Sequence, residues 1–302
     1  MKGQDYAISQ IRKTLIRSFT GLQGITQSSN SKKPKGILFF VGPTGVGKTE
    51  ISKALCEYIF GDESRLIRFD MSEYNHEESD QKLIGAAPGY VGYDAGGQLT
   101  NAVKEKPFCI LLFDEIEKAH NKILDKFLQI LEDGRLTSSQ GETVDFSETL
   151  IIFTSNIGTS QIKDANADKD AVHEQFINAV KDYFKNNLKR PEILNRIGEK
   201  NIIPFDFITD NTILDEILDM KLNKIISKLK EEKFIDLRIN KADKEFLFQG
   251  IKDKYDRTMG GRGLMEKLET NFVDGLSEFI FDNYEFMQDN KNKKTFSHVT
   301  SK

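Results

Sequence analysis

The stretch "ILFFVGPTGVGKT", Ile37 to Thr49, decides how the rest of the chain is interpreted. Its five leading apolar residues are typical of a strand that is buried on both faces of a parallel sheet. The motif G-x-x-x-x-G-K-T follows directly, and a helical pattern runs from Lys48 to about Phe60. This order of strand, glycine-rich turn and helix predicts a phosphate-binding loop.

Each residue type in this loop has a physical reason to be there. Glycines let successive backbone N–H groups point at phosphate oxygens, and the helix start adds its positive end. The positively charged Lys48 ammonium would bind the outer phosphates, and the Thr49 hydroxyl would ligate Mg²⁺. A dinucleotide-binding turn would need G-x-G-x-x-G, which is absent here. The predicted ligand-binding residues of the loop are Gly42, Pro43, Thr44, Gly45, Val46, Gly47, Lys48 and Thr49.

Polar residues also follow two further strand-like runs. "CILLFDE" ends in Asp114 and Glu115, and "TLIIFTSN" ends in Asn156. Asp114 would hold Mg²⁺ through water, and Glu115 would act as the general base on an attacking water. Asn156 would bridge that water and the outer phosphate. The alternatives are a solvated acid pair at a strand end and an asparagine that caps a turn.

The alternation of strands and helices predicts an α/β fold with a parallel sheet sandwiched by helices. Further strands are "LIRFDM", "CILLF" and "TLIIFT", with helices near Gln98 to Lys104 and from Lys122 to Leu131. After Asp206 the apolar residues follow helical spacing over long stretches. We therefore predict a large α/β nucleotide-binding domain at 1–205 and a small helical domain at 206–302 with a loose tail.

Composition excludes several functional classes. The 302 residues carry a net charge of −4 with no basic excess, so nucleic-acid binding is not expected. The first ten residues lack the apolar core expected of a signal peptide, and no apolar run reaches membrane-spanning length. Cys56 and Cys109 lie in apolar surroundings without metal-ligand spacing, which predicts buried, reduced thiols of a cytoplasmic protein.

Several motifs in fixed order carry a resemblance to a known family. After the phosphate loop come "FDMSEYNHEESDQKLIGAAPGYVGY", "LLFDEIEKAH", "LQILEDGRLTSSQGETVDF" and "TSNIG". Together they resemble the second ATPase module of Clp-type unfoldases and disaggregases in the AAA+ superfamily, closest to the B-type disaggregase. The likeness covers nearly the whole chain and is strongest from Gly36 to Gly158.

The resemblance implies a phosphate-loop AAA+ module whose small C-terminal domain forms a lid. It implies ATP hydrolysis with Mg²⁺ at the subunit interfaces of a homo-oligomeric, hexameric ring in the cytoplasm. It also implies that unfolded or aggregated polypeptides are threaded through a central pore. In that family the "GYVG" loop lines the pore, so Tyr90 and Val91 would touch the substrate, and Gly134 to Phe146 would be a second pore-lining segment.

The same resemblance assigns the remaining site residues. Arg196 would be the arginine finger that reaches the nucleotide of the adjacent subunit, and Arg262 the second sensor that contacts the phosphates. Gly3 and Gln4 would belong to the adenine pocket. Because Gly198 stands where the family has aspartate, Arg190 is an alternative finger. Other interpretations make Arg196 a surface salt bridge, Arg262 a charge at a helix start, and Tyr90 a core residue of its own turn.

The leading functional hypothesis is an ATP-driven protein-remodelling motor, and the alternative is a nucleotide-dependent binding switch or adaptor without processive pulling. A nucleic-acid remodeller is disfavoured by the balanced charge. Protease-coupled relatives carry an Ile-Gly-Phe-like tripeptide after the first sensor, and none occurs between Gly158 and Pro191. This absence favours a disaggregase-like or stand-alone remodeller without a protease partner.

Overall fold

A parallel five-stranded sheet carries the predicted loop and the acid pair. The computed structural model describes residues 1–20, 33–90, 93–162, 167–256 and 259–283. The predicted α/β fold with a parallel sheet is confirmed. The strands of the sheet, in chain order, are β1 (Gly36–Val41), β2 (Leu66–Asp70), β3 (Ile110–Asp114), β6 (Leu150–Ser155) and β7 (Ile202–Pro204).

The apolar runs form strands because the sheet is buried on both faces. Every residue of β3 and β6 is buried, and so are all residues of β1 except Ile37. The Phe113 ring lies in this core with its centroid 4.5 Å from that of Phe127 and 5.5 Å from that of Phe153. The strand predicted from "ILFFV" is therefore confirmed.

The strand order places three strand ends side by side. The sheet runs β2-β3-β6-β1-β7, so β6 lies between the strand before the phosphate loop and the strand that ends in the acids. All of these pairs are parallel, with Val41 opposite Ser155 and Asp70 opposite Asp114. The carboxyl ends of the strands consequently meet at one edge, where ligands bind in open α/β sheets.

Helices accompany the sheet in the same compact unit, which comprises Met1, Gly3–Gly42 and Gly47–Asp206. The predicted helix from Lys48 is confirmed, and it ends at Gly61, whose φ of 65° is the left-handed conformation that glycine favours. The helices are α1 (Asp5–Phe19), α2 (Lys48–Phe60), α3 (Ser79–Ile84), α4 (Gln98–Glu105), α5 (Asn121–Asp133), α6 (Lys169–Asp182) and α7 (Pro191–Ile197).

The buried face of α1 is not its most apolar one. The face packed in the core runs through Ala7, Ile11 and Thr14, whereas Ile8 and Phe19 are 39% and 64% exposed. Helical periodicity predicts a helix, but it does not say which of two overlapping rows of side chains faces the core. In α1 the row with Ala7, Ile11 and Thr14 is buried, and the row with Ile8 and Phe19 is more exposed.

A short hairpin separates α5 from β6. Its strands β4 (Arg135–Thr137) and β5 (Thr143–Asp145) pair antiparallel, with Leu136 opposite Val144 and both side chains buried. This hairpin occupies the segment predicted, through the family resemblance, to line the pore.

The second unit comprises Lys2, Pro43–Val46 and Phe207–Lys302, and most of its described residues after Phe207 are helical. The long amphipathic pattern after Asp206 forms a helix capped by the Asp210 carboxylate, which accepts a hydrogen bond from Thr212 N at 2.8 Å. A π-helical turn, Glu269–Val273, separates the helix that begins at Gly260 from the helix that begins at Asp274. The helices of this unit are α8 (Asn211–Lys233), α9 (Lys241–Asp253), α10 (Gly260–Leu268) and α11 (Asp274–Asp282).

Three further predictions concern the cysteines, membrane-spanning segments and the C-terminal tail. Cys56 and Cys109 are buried free thiols, as predicted, and burial raises their pKa values to about 11 and about 12. Among the described helices none is both long and apolar enough to cross a bilayer. The tail predicted to be loose lies, from residue 284 onward, outside the described residues.

Candidate active site

The glycine-rich loop has the backbone geometry that a phosphate cradle needs. Gly42, Gly45 and Gly47 have φ values of 149°, 71° and 101°, all in the region that L-residues rarely adopt. A Cβ on Gly42 would lie 2.7 Å from the Phe205 carbonyl oxygen, so a larger residue would not fit there. The loop conformation therefore requires glycine at these positions.

The structure brings Lys48 and Asn156 together. The Lys48 side chain is 8% exposed, and its Nζ donates to Asn156 Oδ1 at 2.8 Å and to the Gly42 carbonyl at 2.6 Å. The two residues are 108 positions apart in the chain and meet because β6 lies directly beside β1. An ammonium and an amide are thus placed at the same point of the sheet edge.

Thr49 and Asp114 form a second pair at this edge. The Thr49 hydroxyl lies 3.4 Å from Asp114 Oδ2. A hydroxyl and a carboxylate are oxygen ligands of the kind that Mg²⁺ prefers, and Mg²⁺ commonly completes its octahedron with water and phosphate oxygens. No cluster of three or more His, Cys, Asp or Glu suited to a metal exists among the described residues. The hydroxyl and carboxylate of Thr49 and Asp114 fit Mg²⁺ as a donor set.

Glu115 stands in an unusual backbone conformation. Its φ and ψ are 57° and 55°, and its N–H donates to the Thr154 hydroxyl at 3.1 Å. A left-handed conformation costs roughly 1–2 kcal/mol for a residue with a Cβ. Such strain is characteristic of functional sites, where the surrounding structure holds it in place. The left-handed conformation of Glu115 ends β3 directly after Asp114.

Two residues that hold Asp114 are not in the predicted site. Arg68 on β2 donates to Asp114 Oδ2 from Nε at 3.0 Å and from Nη2 at 2.7 Å, and the Thr154 hydroxyl donates to Asp114 Oδ1. The Asp114 carboxylate is therefore oriented by both neighbouring strands. The sequence features that could have indicated these two residues are the charged Arg68 within the strand run "LIRFDM" and the polar Thr154 within the apolar run "TLIIFT".

Glu117 is a third residue missing from the predicted site. Its Oε1 accepts a hydrogen bond from Asn156 N at 3.0 Å, so it fixes the backbone that carries the Asn156 amide. The Tyr183 hydroxyl donates to the Glu117 carbonyl at 3.3 Å. Burial, followed by the charge of Glu117, raises the pKa of Tyr183 to about 12, so this tyrosine stays protonated and remains a donor.

Gln4, predicted to lie in an adenine pocket, binds protein backbone. Its side chain is buried and forms two hydrogen bonds of 2.9 Å with Asp206, donating to the carbonyl and accepting from the N–H. Gly3 beside it has a φ of 71°. The Asp206 carboxylate contacts His173 Nε2 at 2.5 Å and Lys169 Nζ at 3.4 Å. Burial alone would raise the pKa of Asp206, but these two partners lower it below its ordinary value.

Replacing Gln4 with alanine is expected to destabilise this unit by about 2–4 kcal/mol. The change leaves a buried N–H and a buried C=O of Asp206 without partners and opens a cavity. Chemical denaturation of the Gln4→Ala protein measures the loss, with Gln10→Ala on the same helix as the control. Equal stability of the two variants would contradict the structural role of the amide.

The two arginines considered as fingers make ion pairs at the surface. Arg196 contacts Glu132, and Arg190 contacts Asp125 at 3.0 Å and Glu192 at 3.6 Å. The structure therefore does not bring Arg196 together with Lys48 and Asn156 in this chain. Its recorded partner corresponds to the surface salt bridge that was the alternative interpretation.

Arg262 belongs to the second unit, in α10. In that unit Gly45 O accepts a hydrogen bond from Gly261 N at 2.8 Å. A Cβ on Gly45 would lie 2.8 Å from the Arg262 backbone nitrogen. Arg262 thus stands one residue from a direct backbone contact with part of the phosphate loop.

Tyr90 projects from its glycine-rich loop and is 66% exposed. Its N–H donates to the Ala87 carbonyl at 3.1 Å, and its own carbonyl accepts from Tyr93 N at 3.2 Å. The interpretation in which Tyr90 packs into its own core is therefore wrong for this structure. Val91, predicted to contact substrate with it, lies outside the described residues.

A cavity of about 790 Å³ in the first unit contains none of these residues. It is lined by Tyr6, Gln10, Lys13, Ile16, Arg17, Ile177, Glu199, Lys200 and Ile202. The strand-end cluster, and not this cavity, lies at the carboxyl ends of the parallel strands, where ligands bind in open α/β sheets. Position in the fold therefore identifies the candidate site.

Comparisons with known proteins identify the family of the chain. A family model described as an AAA domain (Cdc48 subfamily) matches residues 33–200. A second, described as the C-terminal, D2-small domain of ClpB protein, matches residues 210–291.

Three curated relatives illustrate the similarity. The chain is 44% identical over 267 residues to a chaperone protein ClpB of Clostridium tetani, which covers 88% of this chain and 29% of the relative. It is 41% identical over 275 residues to a ClpB of Propionibacterium freudenreichii, covering 91% and 30%. It is 39% identical over 290 residues to an ATP-dependent Clp protease ATP-binding subunit ClpC of Staphylococcus aureus, covering 93% and 33%. The chain spans about a third of the length of these relatives.

Proposed function

The chain belongs to the AAA+ ATPases of the Clp type and matches their second ATPase module, and from this premise we propose that it hydrolyses ATP to pull on polypeptide chains. The observation that carries the proposal is the strand-end cluster, in which Lys48 meets Asn156 and Thr49 meets Asp114. These groups match what phosphoryl transfer requires, which is positioning and charge stabilisation.

Each residue of the cluster has a defined task in this proposal. Lys48 exchanges its hydrogen bonds to Gly42 and Asn156 for the outer phosphates, and the loop N–H groups hold the others. Thr49 would ligate Mg²⁺ and Asp114 would hold it through water, and the ion would neutralise phosphate charge. Glu115 accepts a proton from the attacking water, and Asn156 orients that water.

We place the complete site at a seam between identical subunits. Arg196 pairs with the exposed Glu132 in its own chain, so its guanidinium is at the surface, where an adjacent subunit would meet it. An arginine supplied in trans stabilises the charge of the transition state. By the family resemblance we assign Arg262 to the phosphates and Gly3 to the adenine pocket of the same subunit, while Gln4 would support that pocket only through its hydrogen bonds to the Asp206 backbone. A hexameric ring of this chain satisfies the requirement that every site borrows one arginine.

Tyr90 supplies the grip on the polypeptide. An exposed tyrosine ring offers a flat apolar surface, and dispersion contacts with it do not depend on the sequence of the bound chain. The glycines around it allow the loop to move with nucleotide state. Unfolded or aggregated polypeptides are the proposed substrates, since a motor that accepts many sequences needs such tolerance.

Replacing Tyr90 with alanine is expected to preserve ATP hydrolysis but slow unfolding of a tagged substrate about tenfold or more. Losing an aromatic contact of about 1.5–3 kcal/mol accounts for this size. ATPase rates and loss of substrate fluorescence measure the two activities, and Tyr58→Ala, at a residue 86% exposed on α2, is the matched control. Unfolding at the unaltered rate in Tyr90→Ala would instead favour the nucleotide-dependent binding switch.

The same proposal covers partners and location. The relatives include both chaperones and a protease ATP-binding subunit, so similarity alone does not select a partner. The absence of an Ile-Gly-Phe-like tripeptide between Gly158 and Pro191 supports action without a protease. Two buried, free cysteines support a reducing, cytoplasmic environment.

A further inference from the structure

We propose that the turn of the β4–β5 hairpin, Ser138 to Gly141, is a brace that holds the Tyr90 loop, and that Gln140 is a positioning residue for Tyr90. The Tyr90 loop is defined here as the described residues 85–90 and 93–97. The inference rests on the proposed function only for its consequence in substrate pulling. The contacts that form the brace all lie within the first unit.

The two ends of the Tyr90 loop are pressed together. A Cβ on Gly97 would lie 2.3 Å from the Ile84 carbonyl carbon, and one on Gly85 would lie 3.2 Å from Gly97 N. Only glycine permits backbones to approach this closely. The loop is therefore closed at its base, with the exposed Tyr90 distant from both ends in sequence.

The hairpin turn contacts this loop at two places. At the base, Ser139 N donates to the Ile84 carbonyl at 3.1 Å, and the Ser139 hydroxyl donates to the Gly85 carbonyl. Beyond the apex, Gln140 Nε2 donates to the Tyr93 carbonyl at 2.8 Å. The second contact is at Tyr93, three residues after Tyr90. It restrains Tyr93 and the residues that follow it, which form the second arm of the loop.

The hairpin is closed by its own backbone hydrogen bonds. Ser138 N donates to the Glu142 carbonyl at 2.8 Å and Gly141 N to the Ser138 carbonyl at 3.0 Å, which closes the turn. The stem is closed by Phe146 N, which donates to the Gly134 carbonyl at 2.7 Å. The chain then continues into β6, which ends directly before Asn156. The brace thus connects the Tyr90 loop with the strand that carries Asn156.

Gln140 acts through its amide donor. A glutamate at this position has nearly the same shape, but its carboxylate has no hydrogen to donate and repels the Tyr93 carbonyl. Gln140→Glu should therefore release one arm of the loop and leave the Ser139 contacts intact. Gln140→Ala removes the same donor without adding charge.

The mobility of a spin label at position 90 tests the brace without relying on activity. In Tyr90→Cys protein the label should react selectively, because burial raises the pKa of both native thiols. Gln140→Glu should increase the mobile fraction about threefold to tenfold, the scale of one hydrogen bond. Gln140→Ala should do the same and serves if the glutamate variant folds poorly. Unchanged mobility in a folded Gln140 variant overturns the proposal.

Two controls limit the effect to the loop. Gln81→Glu adds the same charge at an exposed residue of α3 and should leave the label at position 90 unchanged. A label at Tyr58→Cys on α2 should not respond to Gln140→Glu. If the label at position 58 becomes equally mobile, the variant loosens the whole unit and the brace is refuted.

Activity measurements separate this inference from the proposed function. With Tyr90 retained, Gln140→Glu should slow unfolding of a tagged substrate severalfold. A released loop in a protein whose unfolding is insensitive to Tyr90→Ala supports the brace and refutes the motor. A fixed loop in Gln140→Glu, with unfolding lost in Tyr90→Ala, refutes the brace and supports the motor.

Discussion

Replacing Glu115 with glutamine is expected to lower the rate of ATP hydrolysis by about 10²–10⁴-fold, the usual contribution of a general base. Nucleotide binding should persist, because Lys48, Thr49 and Asp114 are unchanged. The amide also preserves the shape of the side chain, so the strained turn at this position, with φ of 57°, is retained. Phosphate release measures turnover, and a fluorescent nucleotide measures affinity.

An exposed acid provides the matched control for this variant. Glu50→Gln removes a carboxylate from α2, where it pairs with Lys53 at 3.0 Å, and should hydrolyse ATP normally. Hydrolysis by Glu115→Gln at the rate of the unaltered protein would remove Glu115 from the role of base. Loss of nucleotide affinity together with turnover would show that Glu115 supports binding and not proton transfer.

Replacing Arg196 with alanine is expected to reduce ATP turnover by about 10³–10⁵-fold, the contribution of an arginine supplied in trans. In its own chain Arg196 contacts Glu132, and such a half-exposed pair contributes about 0–1 kcal/mol to stability. The folding stability of the variant should therefore hardly change, while its activity collapses. Thermal unfolding and phosphate release, measured together, distinguish the two effects.

Mixing two inactive variants tests whether Arg196 acts across a seam. Arg196→Ala subunits keep Glu115, and Glu115→Gln subunits keep Arg196, so mixed rings should contain some complete sites and regain turnover. Arg190→Ala, which loses ion pairs to Asp125 and Glu192, is the control and should remain active. Recovery in the Arg190 mixture instead would move the finger to Arg190. No recovery in either mixture would contradict a site shared between subunits.

The phosphate loop was predictable because its determinants are local. Strand, turn and helix are adjacent in the chain, and the positive φ values of Gly42, Gly45 and Gly47 follow from what backbone wrapping requires. The same holds for the boundaries of α2, since Lys48 begins it and Gly61 ends it. Local chemistry of this kind needs no knowledge of the strand order.

The supporting contacts were not predictable, because they join distant parts of the chain. Arg68 reaches Asp114 across 46 positions, and Glu117 reaches Asn156 across 39. Their residue types have many other uses on a protein surface. These residues meet because β2 pairs with β3 and β3 pairs with β6. The periodicity of the sequence does not predict this strand pairing.

The sequence by itself determined an α/β fold, the glycine-rich loop with its phosphate-binding motif and the two strands that end in polar residues, because hydrophobic period and turn chemistry are local properties. Only the tertiary structure decided that β6 inserts between β1 and β3, which brings Asn156 to Lys48. It alone placed the Gln4 amide on the Asp206 backbone and the Gln140 amide on the Tyr93 carbonyl. A hydrogen bond forms wherever packing leaves a donor beside an acceptor, and packing depends on the whole chain.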